Sequence, residues 1–165
     1  MRVVEMTKYK ASDMITLQAN PVEGGIKGHV DSAGWAKLCE ESGPAYTGRH
    51  KDTGEIIGCG GVIIYWPGVG EGWSIFSKDT AFQYKREIFV YTRKFFDIVI
   101  ANYNLWRIQA TLRVDMTNKP PRAPGGKPGN WLEHLDFEYE GTLKKYCPDG
   151  TDSYMYSRII EQEIR

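Results

Sequence analysis

The stretch from Leu105 to Arg158 constrains the fold of this 165-residue chain more than any other. Leu105 to Val114 alternates apolar and polar side chains, the period-2 signature of a half-buried strand. Lys119 to Gly129 is rich in proline and glycine and reads as irregular backbone. A short helix is predicted at Trp131 to Leu135. Two strands follow, Glu138 to Tyr146 and Ser153 to Ile160, joined by the turn Pro148-Asp149-Gly150.

Upstream, Arg2 to Met6 has the composition of a short strand, and Ser12-Asp13 offers an N-cap for a helix over Met14 to Ala19. Asn20-Pro21, Gly24-Gly25 and Gly28 make a loop, and Ala33 to Glu41 has the apolar spacing of an amphipathic helix. The clearest local signal is a hairpin. Ala45 to His50 runs extended, Lys51-Asp52-Thr53-Gly54 turns, and Glu55 to Tyr65 returns. Glycines 58, 60 and 61 on the returning strand suggest a bulge or a close backbone approach. Pro67 to Gly70 turns the chain again into a strand at Glu71 to Phe76. The longest helix is predicted from Ala81 to Asn102, with Lys85, Arg86, Arg93 and Lys94 on its wet side. The order β-α-α-β-β-β-α-β-α-β-β has no internal repeat and no linker, so a single α/β domain over 1–165 around a mixed sheet is expected.

Acidic and basic residues balance at 21 each, which leaves no global field to draw in nucleic acid or an anionic membrane. Cys39, Cys59 and Cys147 are odd in number and far apart, without metal-ligand spacing, and read as reduced thiols. His29, His50 and His134 are isolated, so no metal site is expected. The start, Met1 to Met6, lacks the apolar run of a signal peptide, and no apolar stretch nears the ~20 residues that span a bilayer. A soluble, cytoplasmic protein is the expectation.

The element order, with Thr53 to Gly58 leading into a strand and Leu135 to Lys144 as a turn plus strand, resembles the GNAT group of acetyl-CoA-dependent N-acetyltransferases across nearly the whole chain. The resemblance implies a GNAT-like α/β fold, with a sheet of six to seven strands flanked by about four helices. It also implies that the strand at Glu71 to Phe76 and the one at Leu105 to Val114 splay apart, with acetyl-CoA in the wedge. The pyrophosphate would sit on the N-terminus of the following helix, where amides and dipole favour an anion.

On that mapping the cofactor-binding candidates are Phe76, Ser77, Lys78, Gln83, Lys85, Arg86 and Asn118, with the Phe76 amide polarising the thioester carbonyl. Glu71 is the candidate base, and Tyr146 the candidate acid, with Tyr154 as its alternative. The family's tyrosine on the short helix corresponds to Leu132, which has no proton to give, and its glycine to Asp136, which tolerates left-handed backbone. The family's phosphate loop is glycine-bearing, whereas Ser77 to Arg86 contains no glycine. Thr80 to Gln83 fits a capping box that would consume the amides a pyrophosphate needs, and Asp79 adds a negative charge. The insert Pro120 to Pro128 is expected at the mouth of the wedge as a lid or a plug.

Two readings follow. In the first, the chain transfers acetyl from acetyl-CoA directly to a primary amine on a small molecule or a protein, without a covalent enzyme intermediate and with nucleic acid disfavoured as partner. In the second, it is a GNAT-shaped binding or assembly protein without chemistry; Trp73 and Ser77-Lys78-Asp79 before a basic helix resemble phage-encoded relatives, some tied to virions. A homodimer is a further implication of the resemblance. An enzyme should leave the wedge open between Phe76 and Leu112. An assembly protein should close it with Trp73, Phe82 or the insert, and expose an apolar patch elsewhere.

Overall fold

The computed structural model describes residues 2–18, 22–23 and 32–161. Strand β1 (Val4–Lys8) leads to helix α1 (Ala11–Gln18), the two-residue strand β2 (Val22–Glu23) and helix α2 (Ser32–Glu41). Then come β3 (Ala45–His50), β4 (Ile56–Trp66), β5 (Val69–Ser77), α3 (Lys78–Ala81), α4 (Lys85–Asn102) and β6 (Arg107–Arg113). A 3-10 turn at Val114–Met116, α5 (Trp131–His134), β7 (Glu138–Leu143) and β8 (Ser153–Ile159) complete the chain. The hairpin and the later strands fall where period-2 alternation puts them, except that the strand expected to reach Tyr146 ends at Leu143. The loop predicted over 20–28 lies outside the described residues apart from Val22–Glu23, which is a strand and not loop because its backbone pairs with Ser77 and Phe76, and His29 also lies outside them.

The strands form one mixed sheet in the order β1-β3-β4-β5-β6-β8-β7, with β2 pairing β5 off this path. Neighbours are antiparallel except β5 and β6, which run parallel. That parallel pairing lasts for three residue pairs, Val69↔Arg107 to Glu71↔Gln109, and then the strands part. Parallel strands need a long crossover, which α3 and α4 supply. Beyond the split, Gly72 to Ile75 pair with β4 on one edge and, among the described residues, with no strand on the other. Glu23 and Val22 then take up that second edge at Phe76 and Ser77.

Alternation divides the side chains of β5 between two layers. Ile75 joins Tyr9, Met14, Leu17, Ala36, Cys39, Cys59 and Ile63 under α1 and α2, with Trp73 packed against them. On the opposite face Val62, Phe96, Val99, Leu105, Ile108, Leu135, Phe137 and Tyr156 form the second core, beneath α4 and α5. Burying each large apolar side chain contributes roughly 1.5–3 kcal/mol. Two of the glycines read from the sequence serve close approach. A Cβ on Gly61 would lie 2.6 Å from that of Ala45, and one on Gly58 would lie 2.4 Å from the Phe76 ring. The register shift of β3 against β4 falls beside Gly58, between its pairing with Gly48 and the Arg49↔Ile56 pair.

The long helix is not continuous from Ala81. It is interrupted over 82–84 between α3 and α4, although no proline or glycine lies there. Tertiary anchors account for the restart. The Tyr84 ring packs edge-on against His50 of β3 at 5.9 Å. The Glu87 carboxylate accepts the backbone amides of Val3 and Val4 at 3.0–3.1 Å. The expected capping box does not form. Thr80 is inside α3, its hydroxyl oxygen is buried without a partner, and neither Ser77 nor Tyr84 caps a helix with its side chain. The side chain of Asp79 lies outside what the structure describes.

Candidate active site

Where β5 and β6 part, a cavity of about 350 Å³ passes through the sheet. Its walls come from both faces: Met14 of α1 and Trp35 of α2 on one, Ile88, Phe95 and Phe96 of α4 on the other. A cavity touching both faces must run through the split, and Phe76 and Leu112 line it from the two sides. The volume is in the range of small-ligand pockets, ~300–1,000 Å³.

Glu71 stands at the point of separation. Its Oε2 accepts the Tyr65 hydroxyl at 2.6 Å and the Gln109 side-chain amide at 3.0 Å. Gln109 is itself fixed, because its Oε1 accepts Arg107 Nε at 2.9 Å. Arg107 grips Glu140 through both terminal nitrogens at 2.8 and 2.6 Å, and the Ser157 hydroxyl donates to the same carboxylate. The relay runs from β7 across β6 to β5 and β4 and settles which end of the Gln109 amide faces Glu71. Burial, and then the hydrogen bond to Glu71, push the Tyr65 hydroxyl pKa up, so it keeps its proton.

Tyr146 also lines the cavity. It is not on a strand, as the sequence suggested: β7 stops at Leu143, and Lys145 takes a left-handed turn at φ 51°. Asp152 accepts the Lys145 amide at 2.8 Å and holds that turn, which swings Tyr146 off the sheet edge. Burial first, then the charge of Glu71, push its pKa up, so the phenol is protonated near neutral pH. Tyr154, the alternative acid, lies outside the cavity wall and packs on Tyr139 at 5.8 Å. A carboxylate that can accept a proton and a phenol that can give one therefore share one chamber.

The remaining predicted residues are dispersed. Phe76 lines the cavity, and its ring meets Trp131 of α5 edge-on at 6.3 Å, while Trp131 meets Phe89 of α4 at 5.5 Å. Ser77 ends β5 outside the cavity wall. Lys78, Gln83, Lys85 and Arg86 are exposed around the helix break, with the Lys85 ammonium 4.5 Å from the Phe82 ring centroid. Asn118 is exposed in the loop after the 3-10 turn. The insert does not plug the cavity, since none of residues 117–129 lines it. Instead Glu133 accepts the amides of Arg122 at 3.0 Å and Gly129 at 2.9 Å, clamping both ends of the insert to α5. Asp136 is left-handed, at φ 67°.

Tyr65, Gln109, Arg107 and Trp35 are contributors that motif reading missed. Their types carry no signal: strand register brings Tyr65 and Gln109 to Glu71 and Arg107 to Gln109, and helix packing puts Trp35 on the same cavity wall. Cys59 lines the cavity, but burial raises its thiol to about 12, which removes it as a nucleophile. Among the described residues no cluster of His, Cys, Asp or Glu is suited to a metal ion, and no helix is long and apolar enough to cross a membrane.

No protein-family profile and no curated protein matches the sequence. Solved structures do match over nearly the full length. An acetyltransferase of the GNAT family from Bacillus anthracis shares 14% identity at a TM-score of 0.65, covering 96% of this chain and 95% of that one. A variant of the spermidine N-acetyltransferase SpeG from Vibrio cholerae shares 13% at 0.64, covering 94% and 93%. The ribosomal-protein-S5-alanine acetyltransferase from Vibrio fischeri shares 19% at 0.63, covering 96% and 94%. At these identities the likeness speaks for architecture, and with the split between β5 and β6 it establishes that this chain has the GNAT fold.

Proposed function

We propose that the protein is an acetyl-CoA-dependent N-acetyltransferase acting on a primary amine. The observation that carries this reading is the cavity through the split, with Glu71 and Tyr146 on its wall and Gly72 to Ile75 of β5 unpaired along one edge among the described residues. The free edge suits an extended amide-bearing arm, which can pair with it as a strand would. The uncapped first turn of α4, flanked by Lys85 and Arg86, suits a phosphate group in place of the missing glycines. In this reading Glu71 takes the proton an ammonium must lose before its nitrogen can attack. The new nitrogen–carbon bond forms as the thioester carbon–sulfur bond breaks, and Tyr146 returns a proton to the departing sulfur. Gln109 and Arg107 act as positioning residues, holding Glu71 through the relay. Their solved neighbours in fold include proteins named for spermidine and ribosomal-protein acetylation, which agrees with an amine acceptor.

The test is thermal unfolding with and without acetyl-CoA, paired with thiol release in the presence of an amine panel. Ligand at ~100 times its dissociation constant stabilises a fold by roughly 2.7 kcal/mol, a shift of a few degrees at this size. A shift with amine-dependent thiol release that Glu71→Gln removes supports the reading. No shift at millimolar acetyl-CoA sinks it. A second reading, a GNAT-shaped binding or assembly protein, is favoured by the aromatic bridge Phe76–Trp131–Phe89 and by Val22–Glu23 on the edge of β5. Exposed Trp66, Trp106 and Ile159 supply apolar surface for it, and the no-shift outcome is the one it expects.

A further inference from the structure

On the α4 face of the sheet the cavity reaches well past the split, and three glycines of that face show where. A Cβ on Gly72 would lie 3.2 Å from the Phe96 ring, and one on Gly58 would lie 2.4 Å from the Phe76 ring, so phenylalanines cover both. Gly60, between them, is uncovered. The three atoms nearest to a Cβ there, at 3.2, 3.7 and 3.9 Å, belong to Trp73 and Ser74 of β5, and none belongs to α4. Thr92 and Phe95 of α4 line the cavity above it, and Phe95 meets Tyr46, the residue paired with Gly60 on β3, at 5.6 Å.

This gap is a corridor across the strands. Ser74, opposite Gly60 on β5, stands at the end next to the split, and Tyr46, opposite Gly60 on β3, stands at the inner end. From β5 to β3 is two strand spacings of ~4.8 Å, about 10 Å. The roof presents carbon, because its polar atoms are already bonded. The Thr92 hydroxyl donates to the Ile88 carbonyl at 2.7 Å, and the Tyr91 hydroxyl donates to the Val4 carbonyl at 3.2 Å. Glu71, the only charged residue among the described ones that line the cavity, is one position from Gly72 and therefore on the opposite face of β5. Protein interiors pack densely, and an apolar void that stays open takes an apolar guest.

Resting on the acyl-transfer reading of the split, we infer that the site takes donors whose acyl group is longer than acetyl: a straight saturated chain of about hexanoyl length. The thioester lies at the split, as for acetyl, and the chain runs from Ser74 over Gly60 beneath Thr92 and Phe95. The bonds made and broken are those of acetyl transfer; only the carbon chain behind the carbonyl differs. Phe96 and Phe76 flank the corridor and confine the chain to one track.

The experiment uses the full chain and three probes, coenzyme A, acetyl-CoA and hexanoyl-CoA, with binding measured by calorimetry and no acceptor present. Hexanoyl-CoA should bind at least about tenfold more tightly than acetyl-CoA, the effect of moving its added methylenes out of water. Thr92→Leu fills the corridor from the roof and Gly60→Ala from the floor, and each should bring that ratio below about threefold by overpacking. Thr92→Leu stays informative should the new methyl of Gly60→Ala, 3.2 Å from the Trp73 carbonyl, prevent folding. Acetyl-CoA binding as tightly as hexanoyl-CoA, or more so, overturns the inference and keeps the transfer reading. A tenfold ratio that the variants leave intact also overturns it, because the chain then lies elsewhere. Binding of none of the three probes at millimolar concentration removes the transfer reading and this inference together.

Discussion

The two halves of the sheet, divided at the split between β5 and β6, are built to different standards. The C-terminal half, β6, β8 and β7 beneath α5, is filled: Leu105, Ile108, Leu135, Phe137 and Tyr156 are fully buried against one another. Its buried polar groups are paired. Glu133 accepts from Tyr156 at 3.1 Å, and Asn130 donates to the same phenol at 2.8 Å and caps α5. The N-terminal half packs a core of its own under α1 and α2 but is hollow beside it. Glycines 48, 58, 60, 61 and 72 line a cavity, and the Trp73 N–H on its wall has no partner. A half that saturates its contacts supplies stability, and a half that leaves them open has room for a ligand. That division is what a scaffold with a grafted site requires.

The sharpest way to break this comparison is at Glu71. Glu71→Gln keeps the shape and removes the proton acceptor, and acetyl transfer should fall by about 10²–10⁴-fold in initial-rate assays with melting temperature little changed. Full turnover in that variant would leave the hollow half without its chemistry. Next come two identical truncations, one in each half. Ile108→Ala, fully buried in the filled half, should destabilise by about 4 kcal/mol, and Ile75→Ala, on the cavity wall, by about 2 kcal/mol, because part of its surroundings is already empty. Urea unfolding measures both, and equal values would mean the cavity is closed in solution.

A smaller effect lies in pH. The Glu140 carboxylate is lowered from 4.5 to about 2, first by the hydrogen bond from Arg107 and then by that from Ser157. Its folded value is below its unfolded one, so its contribution is complete above pH about 4.5 and is lost as pH falls towards 2. Glu140→Gln should flatten the stability profile in that window, and the partial exposure of the pair keeps the effect modest. The smallest change is expected at Asp136. Its left-handed backbone favours glycine while its exposed ion pair with Arg93 contributes little, so Asp136→Gly should alter stability by under about 0.5 kcal/mol.

Much of the fold was legible locally. The hairpin from Ala45 to Trp66 follows from alternation and a glycine turn, and Asp136 from its tolerance of positive φ. The capping box failed because a local pattern says nothing of whether the chain enters a helix at that residue or three residues earlier. Thr80 ended inside α3, and α4 restarted where Tyr84 and Glu87 meet β3 and β1. Tyr146 was legible as a tyrosine near a strand end, but the turn that aims it depends on Asp152.

The sequence by itself determined the longer strands, the main helices, their order and therefore the α/β class, because side-chain periodicity and turn chemistry act over a few residues. Only the tertiary structure decided the site. Gln109 reaches Glu71 across 38 positions of chain, through a parallel register of three pairs between β5 and β6. Where those strands part, backbone edges and side chains that no local rule connects are brought to one cavity, and the physical cause is long-range register and packing.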